Sequence, residues 1–172
     1  KGYSADEFDA VITLKPTDPL DFMQRLAAVK AFRQLPEAAS LAAANKRIRN
    51  ILKKSASSAA DTVGKLVETP KSNELHFLGH RGLSATIELT PIEFTLLDSA
   101  KLSAVDIAPL LAQRDYRATL TRLAALREDV DAFFDNVMVM CEDEQLRAHR
   151  LALLNMLSEQ FLTCADISKL QS

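Results

Sequence analysis

The chain has 172 residues, a net charge of −2, 48% hydrophobic residues and 26% charged residues. That balance excludes general disorder and a globally basic nucleic-acid binder, and the length suits one domain, or one domain with a docked helical segment. No apolar run approaches the ~18 residues of a membrane span, and no secretory leader is visible at the start. Lys1 stands where a Met would open a complete chain, so a piece of something longer is expected.

There are 25 Ala and 26 Leu, against 4 Gly and no Trp. Ala and Leu are the strongest helix formers, so the expectation is an all-α helical bundle. Cys141 and Cys164 lie 23 positions apart with no Cys-x-x-Cys spacing. They form neither a disulfide framework nor a zinc site, and suit a reducing cytoplasm.

Ser4-Ala5-Asp6-Glu7 reads as a capping box ahead of Phe8, Val11 and Ile12. Asp18-Pro19 opens a second helix, with Phe22, Met23, Leu26, Val29 and Phe32 on its apolar side. A third helix is expected from about Glu37 to Lys54, burying Leu41, Ala44, Ile48, Ile51 and Leu52. Residues 55–60 read as a helix end or linker, and 61–68 allow a short helix.

Residues 69–100 break the pattern with Pro70, Gly79, Gly82 and Pro91. Thr86–Thr90 and Ile92–Leu96 alternate as strands would, so an irregular or small β-like segment is expected near 69–100. Helical pattern returns after Pro109. Asp115 can cap a long helix whose seam runs Tyr116, Leu120, Leu123, Arg127, Val130, Phe134 and Val137. Arg127 is an intruder in that seam, with Asp131 in reach at i+4. Asp143 can cap a last helix, and the two long helices are expected to pack antiparallel.

Catalytic signals are weak. His76 and His80 with Glu74 have a metal-like spacing, but Gly79 and Gly82 argue against the helix that spacing needs. There is no Gly-rich phosphate loop, nucleophile elbow or paired-carboxylate pattern. The strongest local feature is basic. Residues 46–54 hold five positive charges and no negative one, leaving 16 basic residues against 23 acidic ones elsewhere. Such a face is either a solvated helix surface or a phosphate-binding strip. The missing acidic neighbours and the acidic remainder of the chain favour a ligand. Lys46, Arg47, Arg49, Lys53 and Lys54 are the candidates for phosphate contacts, with Asn45 and Asn50 as polar companions. Arg127, Arg147 and Arg150 form a second line that could instead balance nearby carboxylates.

Several stretches resemble one family. They are Gly2-Tyr3-Ser4 with Phe8-Asp9-Ala10-Val11, Leu14-Lys15-Pro16, and Pro19-Leu20-Asp21-Phe22. More specific are Leu41-Ala42-Ala43-Ala44-Asn45-Lys46-Arg47-Ile48-Arg49-Asn50-Ile51-Leu52 and Leu123-Ala124-Ala125-Leu126-Arg127. The latter leads into Val130-Asp131-Ala132-Phe133-Phe134-Asp135-Asn136-Val137-Met138-Val139-Met140. With the end, Ala165–Gln171, these resemble the C-terminal part of the bacterial glycyl-tRNA synthetase β subunit. Residues 69–100, and His149 where Asn is expected, depart from the family pattern.

The resemblance implies a helical anticodon-binding domain of the Asp-Ala-Leu-Arg type over 61–172, with an N-terminal helical segment over 1–60 packed on it. It implies tRNA-Gly and the synthetase α subunit, in a heterotetramer, as partners. It further implies no cofactor in this chain, ATP and magnesium for the whole enzyme, and a cytoplasmic setting. The rival expectation is a structural module docking on the α subunit or on the rest of β.

Overall fold

Five helix starts in this chain are written in side chains that accept a backbone N–H. The computed structural model describes residues 2–62 and 89–170. Helix α1 (Ala5–Ile12) begins at Ser4, whose hydroxyl accepts from the Glu7 N–H, while the Glu7 carboxylate accepts from the Ser4 N–H at 3.0 Å. Helix α2 (Pro19–Phe32) begins at Asp18, which accepts from the Leu20 N–H at 2.9 Å. The order continues with α3 (Ala38–Thr62), α4 (Pro91–Ala112), α5 (Tyr116–Ala124), α6 (Arg127–Asn136) and α7 (Glu144–Leu162), then a short 3-10 turn (Ile167–Lys169). Asp115 and Asp143 cap α5 and α7 as their sequence positions suggest. Among the described residues there is no strand, and the fold is an all-α bundle.

Four expectations are corrected. The alternation at Ile92–Leu96 is not a strand but the first turns of α4. Thr90-Pro91-Ile92-Glu93 is itself a capping box. Thr90 Oγ1 accepts from the Glu93 N–H at 3.3 Å, and Glu93 accepts from the Thr90 N–H at 2.9 Å. Pro91 sits at the first helical position, where its missing N–H costs nothing. Helix α4 then runs through Pro109 to Ala112. Residues 63–88, which hold His76 and His80 and the rest of the expected irregular segment, lie outside the described residues.

Second, the seam from Tyr116 to Val137 is not one helix. At Ala125 and Leu126 the N–H groups bond three residues back, to Arg122 and Leu123, and the chain bends. The bend turns Leu126 into the core and lets Arg127 swing outward, so the intruder never enters the seam. Third, α7 does not form an antiparallel hairpin with α6; its main neighbours are α3 and α4. Fourth, helix α3 continues past Lys54 to Thr62, through residues 55–60 that read in sequence as a helix end or linker.

One apolar cluster runs from Ala10 to Leu170 and includes Phe32, Leu41, Ile48, Leu96, Leu123, Phe133, Leu157 and Phe161. Each of these large side chains contributes roughly 1.5–3 kcal/mol by burial. Two arginines pin the helices around it. Arg25 on α2 donates to Asp21, to the Tyr116 hydroxyl on α5 at 3.0 Å, and to the Thr163 and Cys164 carbonyls at the end of α7. Tyr116 in turn donates to Asp21. Arg150 on α7 donates to Glu93 on α4 at 2.6 Å and to the Met138 carbonyl at 2.8 Å.

Burial pushes the Glu93 carboxyl up, but the hydrogen bonds from Arg150 and Thr90 outweigh it and hold the group below its ordinary value. The folded value therefore lies below the unfolded one of about 4.3. The pair's contribution is complete above that pH and drains as pH falls through the folded value. Glu93→Ala should destabilise the chain by about 3 kcal/mol, because it strands the Arg150 guanidinium. Glu93→Gln should give a melting temperature that depends less on pH below about 4.3 than the wild type's does. Calorimetric melts from pH 7 to pH 3 check both, and parallel curves for wild type and Glu93→Gln would contradict the second.

Candidate functional site

Helix α3 carries the basic strip, and its orientation decides which cations reach solvent. The row Ala38, Leu41, Ala42, Asn45 and Ile48 faces the core. Asn45 is therefore 2% exposed and lies between Leu41 and Ile48, with no partner for its Nδ2 among the described residues. It is a core residue and not a surface contact. Arg49 stands on the flank of the same row. It donates to Asp166, whose side chain is fully buried and also accepts from the Ser168 hydroxyl at 2.6 Å. One of the five charges is thus spent inside the fold, because a buried carboxylate requires a counterion.

The remaining cations point outward. Lys46, Arg47, Asn50, Lys53 and Lys54 are exposed. Among the described residues, none of Lys46, Arg47, Lys53 and Lys54 has an ion-pair partner. Lys46, Arg47, Asn50 and Lys54 line a shallow depression of about 400 Å³ whose floor includes Ala43 and Ile51. Cations spaced along one turn after another of a helix suit the repeating charge of a nucleic-acid backbone.

The second-line arginines are occupied. Arg127 donates to Asp131 at 3.2 Å, and Asp131 also accepts from the Ser40 hydroxyl on α3. Arg147 donates to the Cys141 carbonyl at 2.8 Å and lies 3.7 Å from Glu144. Arg150 is buried against Glu93. Arg150 is thus committed inside the fold, whereas the Arg127 and Arg147 side chains remain partly exposed beside their partners.

A feature with little sequence signal lies beside the strip. Helices α3 and α6 touch where the Arg47 guanidinium lies over the Phe134 ring, 4.3 Å from its centroid. Phe134 reads in sequence as a core position of the seam. The break at Ala125–Leu126 leaves it half-buried instead, with a cation on its face. Cys164 is buried, and burial pushes its thiol up to about 11.

The separation of structural from free cations is testable by stability. Arg49→Ala should destabilise by about 1–3 kcal/mol, since it leaves the Asp166 carboxylate buried and unpaired. Lys46→Ala and Lys54→Ala should stay within about 0.5 kcal/mol of wild type. Urea titrations measure all three, and equal effects would mean that Arg49 is as free as the lysines.

Residues 41–171 match the family described as the DALR anticodon binding domain. The chain is also similar to the glycine–tRNA ligase β subunits of Aeromonas salmonicida (47% identical over 171 residues), Marinobacter nauticus (44% over 170) and Pseudomonas aeruginosa (45% over 170). Each alignment takes in 99% of this chain and 22% of the relative, so the chain spans about a fifth of the length of the curated relatives it matches. Among the described residues, no helix is long and apolar enough to cross a membrane.

Proposed function

The chain belongs to the DALR anticodon-binding domain family, and on that premise we propose that it binds the anticodon side of tRNA-Gly within a glycine–tRNA ligase β subunit. The observation that carries this reading is the sorting of cations on α3. Arg49 is committed to Asp166, while Lys46, Arg47, Lys53 and Lys54 are presented together on the solvent side. A purely solubilising helix face intersperses both signs, whereas residues 46–54 of α3 carry five positive charges and no negative one.

The mechanism is recognition. The exposed cations sit where they can displace the counterions of successive phosphates, and Asn50 offers a neutral donor and acceptor between them. Asp131, which also accepts from Arg127, ties α6 to Ser40 on α3, and Arg150 ties α7 to Glu93 on α4. The chain acts without a cofactor of its own. Glycine activation, with its ATP and magnesium, belongs in this reading to the α subunit of a cytoplasmic enzyme. The relatives' length supports the place of this module within a longer β-subunit chain.

The double charge reversal Lys46→Glu with Lys54→Glu should weaken tRNA-Gly binding at least tenfold. It should also flatten the dependence of log affinity on log salt by about 1.4–1.8, the release from two phosphates. Titrations at two ionic strengths measure it, with circular dichroism confirming that the variant is folded. Unchanged affinity in a folded variant would reduce the strip to a solvated helix face.

A further inference from the structure

The Arg47–Phe134 contact closes one end of a second depression, between α3 and α6, of about 320 Å³. Its polar lining is Ser40, Arg47, Asp131 and Asp135. It shares Arg47 and Ala43 with the cationic depression, so the two form one continuous surface. The sign of charge changes along it. Lys46 and Lys54 lie on one side of Arg47, and Asp131 and Asp135 lie on the other.

The two carboxylates differ in what they have left to offer. Asp131 accepts from Ser40 Oγ through both oxygens, at 2.9 and 3.0 Å, and from Arg127 Nε at 3.2 Å. Asp135 is exposed and accepts no hydrogen bond among the described residues. A phosphate is repelled by this pair of acids. A divalent cation is disfavoured by the Arg47 guanidinium in the wall and by the commitment of Asp131. A flat, neutral group that stacks on a guanidinium and donates N–H bonds fits both walls. Arginine planes stack on nucleobases, and a carboxylate accepts from the exocyclic amine of cytosine where it would face only an acceptor on uracil.

We propose that the groove between α3 and α6 is a base-reading subsite, in which Arg47, backed by Phe134, stacks on an unpaired cytosine and Asp135 accepts from its N4 amine. This rests on the tRNA-binding reading and deepens it. The phosphate of the same nucleotide lies toward Lys46 and Lys54, the base toward Asp135. Glycine codons begin with two guanines, so the anticodons that pair with them supply two cytosines. Asp135 becomes the specificity-determining residue, whereas Lys46 and Lys54 set affinity without reading sequence.

The experiment titrates the chain with tRNA-Gly transcripts carrying the native anticodon or a uracil in place of either cytosine. Wild type should prefer the native transcript by about tenfold over at least one of the uracil forms. Asp135→Asn should bring that ratio close to one, because an amide accepts from cytosine N4 or donates to uracil O4. Asp135→Ala, at an exposed position, should do the same without changing the melting temperature. Arg47→Lys, which keeps the charge and loses the plane, should weaken all transcripts alike. If wild type discriminates and both Asp135 variants keep the same ratio, the subsite is wrong while tRNA binding stands. If wild type binds all transcripts equally, the subsite is likewise wrong. No binding to any transcript overturns the subsite and the tRNA-binding reading together.

Discussion

The carboxylate of Asp166 has none of its side chain exposed, and that single constraint sets the rotation of α3. A buried charge must be met by an opposite one, and Arg49 meets it from the flank of the helix. The Asp166 N–H also donates to the Ala10 carbonyl at 2.8 Å, so the same residue ties α1 to the end of the chain. With Arg49 turned toward Asp166, Asn45 and Ile48 must face the core, and Lys46, Arg47, Asn50 and Lys54 must face water. The cationic surface adjoins a half-exposed arginine whose carboxylate partner is fully buried.

Other arginines follow the same logic. Arg25 joins α2, α5 and the end of α7 through one guanidinium, and burial together with the bond to Asp21 raises the Tyr116 hydroxyl above its ordinary value. Arg150 joins α4, α7 and the segment after α6 through another. Guanidinium groups suit these junctions because five fixed donors can satisfy several acceptors on different elements at once. The lysines of α3 are compact, strongly hydrated charges on flexible stems, suited to following a phosphate backbone. Residue type thus divides the positive charge between holding the bundle and presenting a surface, with Arg47 serving both through Phe134.

The contact between α3 and α6 is where the two roles meet. Its geometry depends on the bend at Ala125–Leu126, which redirects α6 so that Phe134 and Asp135 reach the side of α3 that carries Arg47. A continuous helix through the seam would have kept Phe134 on the core line with Leu123 and Val130. The proposed affinity and base-reading roles therefore fall on neighbouring patches of one surface, the first electrostatic and the second built from shape and hydrogen bonding.

Much of the fold was legible residue by residue. The caps at Ser4, Asp18, Asp115 and Asp143, and the all-α class, follow from local chemistry, because a cap bonds within three residues of itself. The capping box at Thr90–Glu93 was equally local, but a period-two alternation over Ile92–Leu96 masked it, and so short an apolar run fits either period. The concentration of charge at 46–54 was likewise plain from order alone. Which of those charges are free was not, because Asp166 lies 117 residues from Arg49 and no pattern along the chain links them. The same holds for Arg150 with Glu93, 57 residues apart, and for Arg47 over Phe134. Sequence by itself determined the all-α class, the caps of α1, α2, α5 and α7, and the amount of charge on α3. Tertiary structure alone decided which cations face water and what stands beside them, since desolvation and pairing act between segments that only folding brings together.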